Sequence, residues 1–83
     1  MVYLVILDWC CDGERDYEIT VCETREKALA CLKLQAEYEW AEHWENVVDT
    51  IGDLESYEWS ENYVDFQNYD TRTTIYIVEK EIK

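Results

Sequence analysis

Proline is absent from the 83-residue chain, glycine occurs twice, histidine once, and only seven bases stand against twenty acids. Each scarcity closes a class of function. The two glycines lie 39 positions apart, so no glycine-rich loop exists to cradle a phosphate. A nucleophilic mechanism needs a base beside the nucleophile, and the lone His43 falls among tryptophans on the apolar side of a predicted helix, where a packed or rim histidine is expected. Carboxylates are so abundant that the proximity of any two carries no catalytic signal. The net charge of −13 repels nucleic acid and anionic membranes alike. No C-x2-C pair occurs among Cys10, Cys11, Cys22 and Cys31, and adjacent cysteines on a strand point to opposite faces, so structural thiols are expected and no metal site. Asp8, Asp12, Glu14 and Asp16 cluster near a turn but lack the ligand density of a calcium loop. Long apolar runs are missing too. Val2–Leu7 is too short for a leader or a membrane span, and Asp8 ends it, which leads us to expect a cytoplasmic protein with reduced cysteines and no cofactor.

What is present suffices for a core. Hydrophobic residues make up 48% of the chain and aromatics 14%, so the acidity does not imply a disordered tail. A single compact domain over residues 1–83 is expected. Val2–Cys10 is apolar on both faces, as in a central strand. Asp12-Gly13 marks a hairpin, and Asp16–Glu23 alternates, which predicts Tyr17, Ile19 and Val21 facing in, with Asp16, Glu18 and Thr20 facing out. Thr24 is a good N-cap, with Glu26 in the first turn. The period then becomes helical, with Ala28, Leu29, Leu32, Ala36, Trp40, His43, Trp44, Val47 and Ile51 on one stripe. A second apolar group, Ala30, Cys31, Leu34, Tyr38, Ala41 and Val48, lies on the far side. A straight helix of this length spans about 37 Å against about 27 Å for an eight-residue strand, so a break near Trp44–Asp49 is expected, with Gly52 as a possible cap. Strands follow at about Tyr57–Phe66 and Thr73–Ile82. The expectation is an α+β domain of order ββαββ, one long helix on a four-stranded, mainly antiparallel sheet of strand order 2-1-4-3.

The functional signal lies between Lys33 and Arg72. Over that stretch there is no base, and there are eleven acids: Glu37, Glu39, Glu42, Glu45, Asp49, Asp53, Glu55, Glu58, Glu61, Asp65 and Asp70. Aromatic residues are interleaved with them, including Tyr38 and Trp59. Acids three or four residues apart on a helix lie about 5–6 Å from one another, loosely like a row of phosphates. Solubility alone is served better by mixed charge. The pattern therefore points to a surface that binds a basic, nucleic-acid-binding protein, with Glu37, Glu39, Glu42, Glu45, Asp49, Asp53, Glu55, Glu58 and Glu61 supplying charge and Tyr38 and Trp59 as anchors. The alternative is a homodimer that buries the second stripe, Cys31, Leu34, Tyr38 and Ala41, against its twofold mate, the acids serving only solubility.

Two features resemble known classes. V-Y-L-V-I-L-D-W, the later D-G and the T-R-E-K-A-L at the helix start resemble many short proteins of bacteria, phages and prophages, over about the first 35 residues. The small size and strong acidity are similar to those of phage-encoded anti-defence inhibitors, among them anti-CRISPR proteins that act as DNA mimics. That resemblance implies a non-catalytic inhibitor that occludes the basic channel of an effector such as a CRISPR nuclease.

Overall fold

The Asp12-Gly13 pair makes the hairpin its sequence announces. Both residues adopt positive φ, 51° and 88°, the geometry that matches the right-handed twist of paired strands in a two-residue loop. They join β1 (Val2–Cys11) to β2 (Glu14–Cys22) in antiparallel register from Cys11↔Glu14 to Tyr3↔Cys22. The computed structural model describes residues 1–45, 56–68 and 71–81.

Three further strands complete one antiparallel sheet: β3 (Ser56–Trp59), β4 (Tyr63–Gln67) and β5 (Thr71–Lys80), in the order β2-β1-β5-β4-β3. The two strands with apolar residues on both faces, β1 and β5, do pair with each other near the middle. The expected four strands become five because the run Tyr57–Phe66 is not continuous. The polar triplet Ser60, Glu61 and Asn62 has turn-forming chemistry and folds the run into a hairpin, with Ser60 donating from both its N–H and its hydroxyl to the Tyr63 carbonyl at 2.9 and 3.0 Å. The resulting β3 lies at the edge beyond β4.

One helix, α1 (Arg25–Glu39), packs on the sheet among the described residues. Its start follows from Thr24, whose Oγ1 accepts from the Lys27 N–H at 3.2 Å, satisfying a donor that the first turn leaves free. Ala28, Leu32 and Ala36 bury against Val5, Leu7, Val64, Phe66 and Ile75. Positions four apart drift about 40° around an α-helix, so this line would leave the sheet by Trp44. A π-helical turn at Trp40–Trp44 prevents that, with the Glu45 N–H bonding the Trp40 carbonyl. The wider turn advances each residue by a smaller angle and returns Trp44 to the core line. The regular α-helix is therefore interrupted at Trp40–Trp44; the break expected near Trp44–Asp49 falls, beyond Glu45, outside the described residues, as do Val47, Ile51 and Gly52. The same rotation moves His43 off the apolar stripe, leaving it exposed.

The largest correction concerns β2. Its alternation is as expected, but its polarity is reversed. Directly opposed residues of antiparallel strands share a face, so Thr20 and Cys22, opposite Val5 and Tyr3, lie under the helix. Tyr17, Ile19 and Val21, expected to face in, are exposed on the other side. Gln35 of α1 donates to the Thr20 hydroxyl at 3.3 Å, which explains why a polar residue is tolerated beneath the helix. No helix among the described residues is long and apolar enough to cross a membrane.

Candidate functional site

Helix α1 and the π-helical turn place Glu37, Glu42 and Glu45 exposed on the side facing away from the sheet. Of the apolar stripe expected there, Leu34 is 66% and Tyr38 61% exposed and Ala41 is exposed, whereas Cys31 is half-buried and packs against the core beside Cys22. Glu61, in the β3–β4 turn, shares a shallow hollow with Lys33 and Trp59. Glu37, Glu42, Glu45, Glu58 and Glu61 form no ion pair with a described residue, whereas two of the three bases of α1 are engaged nearer its start, Arg25 with Glu79 at 3.5 Å and Lys27 with Glu23 at 3.6 Å. The last turn of α1 carries no base.

Two acids leave the expected surface. Glu58 pairs across from Asp65 on the sheet face turned away from the helix, because strand alternation separates it from Tyr57 and Trp59. Glu39, only 14% exposed, turns toward the sheet. There it enters a cleft of about 740 Å³ bordered by Trp9, Glu18, Leu34, Tyr38, His43 and Trp44. Burial pushes its carboxyl above the ordinary range; His43, whose Nε2 lies 3.8 Å away, opposes the shift and Glu18 adds to it. The remaining predicted acids, Asp49, Asp53 and Glu55, lie outside the described residues.

The aromatic anchors divide between core and surface. Phe66 is enclosed by Trp40, Trp44, Tyr57 and Trp59, with ring centroids 5.1–5.8 Å away. The Trp44 indole N–H donates to Thr73 Oγ1 at 3.0 Å, giving a buried ring a partner for its polar atom. Trp59, expected as an anchor, is 37% exposed and half committed to this cluster, while Tyr38 stands free of it and, among the described rings, meets the edge of His43 at 6.4 Å.

All four cysteines are free. Burial, with Cys22 alongside, pushes the Cys31 thiol up and so makes it a poorer nucleophile. Among the described residues no three His, Cys, Asp or Glu side chains gather to hold a metal.

Sequence reasoning missed the open face of the sheet. Leu4, Ile6, Tyr17, Ile19, Val21, Tyr76 and Val78 share it by register, beside two bidentate pairs, Arg15–Asp8 (2.8 and 3.3 Å) and Arg72–Asp65 (2.9 and 3.3 Å). The signal was the two-sided apolarity of β1 and β5: among the described residues one helix covers one face, and the other half of each strand has no cover.

Comparison with protein-family models, curated proteins and solved structures finds no match to this chain.

Proposed function

We propose that this protein is a non-catalytic inhibitor that binds the basic, nucleic-acid-binding surface of a partner, such as a CRISPR nuclease, and occludes it as a DNA mimic. The observation that carries the reading is the grouping of Glu37, Glu42 and Glu45 on one outward side, unpaired with any described base and set around exposed Leu34 and Tyr38. Charges serving only to solvate the fold would be better mixed in sign. Displacing counterions from a surface built to hold phosphates would drive association with a steep salt dependence. Charge speeds encounter, and Tyr38 with Leu34 lengthens residence.

The helix stripe formed by Cys31, Leu34, Tyr38 and Ala41 could also serve a homodimer. A second copy meeting it there would bring two sets of unpaired carboxylates together, which disfavours self-association on this side. A basic partner turns the same charges into attraction.

The test is capture of partners by the tagged protein from a bacterial lysate, washed at low and then high salt. The expected result is a basic nuclease or DNA-binding protein that elutes with salt and releases its nucleic acid when this protein is added. The Glu37→Lys, Glu42→Lys, Glu45→Lys variant should lose that inhibition by roughly a hundredfold or more, with an unchanged circular-dichroism spectrum. Equal inhibition by the folded variant would reject mimicry by this surface.

A further inference from the structure

We propose that the uncovered face of the sheet docks a second copy of this chain, sheet against sheet about a twofold axis. The inference does not rest on the proposed inhibition, because it concerns the opposite side of the molecule.

Charge is the first argument. On the open face the described strand residues supply three acids, Asp8, Glu58 and Asp65, and three bases, Arg15, Arg72 and Lys80. Counted over these described strand residues, the face is neutral in a chain of net charge −13. Two of the three bases are tied to acids on the same face, Arg15 to Asp8 and Arg72 to Asp65. A partner of strong positive charge would find little here to attract it. A second copy would meet a surface without net repulsion. Stacked sheets lie about 10 Å apart, with each helix layer beyond. The acidic helix sides would thus be separated by well over the Debye length of roughly 8–10 Å in ordinary buffers.

Area is the second argument. Tyr17 is 63% exposed, Ile19 50%, Val21 62% and Val78 38%. These four leave on the order of 350 Å² of largely apolar surface, comparable to the largest patch on a typical monomer. With half-buried Leu4, Ile6 and Tyr76 and the stems of the arginines, two copies would bury roughly 1,000 Å² or more in total, where specific interfaces begin. An aligned sheet-on-sheet sandwich is a standard way to cover such faces.

The experiment is sedimentation velocity of the full chain over a concentration series, at low and at high salt. The expected result is a species of twice the 10.0 kDa chain mass at tens of micromolar. Added salt should strengthen it, because screening lowers the residual repulsion between two acidic chains while apolar burial persists. Ile19→Glu on β2 and Val78→Glu on central β5 should each weaken the dimer about a hundredfold while melting as the wild-type monomer does; Leu34→Glu on the helix should leave it intact. If Val78→Glu fails to fold, the milder Val78→Gln on the same central strand replaces it, and the salt response of the wild type remains a separate check. A monomer under all conditions overturns the proposal, including one that instead holds a different protein on this face. So does a dimer abolished by Leu34→Glu alone, which would assign the helix stripe. A dimer lost in Ile19→Glu and kept in Val78→Glu would mean pairing along the β2 edge, and likewise overturns it.

Discussion

The two faces of the sheet carry comparable apolar character and reach opposite states. Val5, Leu7, Ile75, Val64 and Phe66 on one face are sealed beneath α1 and Trp44. On the other, Ile19, Val21 and Tyr17 stand in solvent. Composition cannot separate them, since β-branched and aromatic residues occur on both. The difference lies in where α1 lands. It covers the face that holds Thr20 and Cys22 of β2 and leaves the more hydrophobic side of that strand open. Hydrophobicity of a strand face is thus a statement that it needs a cover. It does not say that the same chain supplies one.

The comparison breaks most sharply at Trp44. Trp44→Ala should destabilise the protein by about 3–5 kcal/mol, a large share of a small domain's stability, because it empties a fully buried site against Phe66 and orphans Thr73. Ile19→Ala on the open face should change monomer stability by only about 0.5 kcal/mol. Urea denaturation of both variants in dilute solution measures the gap, and similar losses would show that the open face is covered even in the monomer.

The two Asp–Arg pairs provide a finer contrast. Arg72 grips an Asp65 carboxylate that is almost wholly buried and also accepts from the Thr74 hydroxyl at 3.1 Å. Arg15 grips a more accessible Asp8. Arg72→Ala should cost about 1–3 kcal/mol, since it strips a buried carboxylate of its bidentate partner; Arg15→Ala should cost clearly less, because solvent screens that pair. Equal costs in denaturant titrations would mean that burial does not distinguish them.

The smallest effect is expected at Glu39, beneath the helix. Burial raises its carboxyl above the ordinary 4.5, so the folded protein holds that proton more tightly than the unfolded chain. In acid, with both states protonated, the group costs nothing; as pH rises through the folded value, ionising it lowers stability. Glu39→Gln should therefore raise the melting temperature at neutral pH, and the gain should vanish below the ordinary carboxylate range. A gain independent of pH would point to hydrogen bonding instead of charge.

Much of this was readable from residues alone. Asp12-Gly13, Thr24 and the alternation of β1, β2 and β5 rest on local chemistry, and each of those elements forms where its residues indicate. Of the acidic surface, Glu37, Glu42 and Glu45 with Leu34 and Tyr38 follow from helical period. Glu39 and Glu58 do not, because a neighbouring sheet or a strand's alternation decides where a side chain points. The β3–β4 hairpin was hidden because Ser60, Glu61 and Asn62 interrupt a run whose flanking residues are all strand-like.

By itself, then, the sequence determined the charge, the element types and the central placing of the two doubly apolar strands, since those depend on composition and short-range periodicity. Only the tertiary structure decided which face of β2 the helix covers, which of Trp44 and His43 enters the core, and which face is left neutral and bare. Those outcomes depend on the competition of whole surfaces for α1, and on a π-helical turn whose wider winding brings Trp44 into the core.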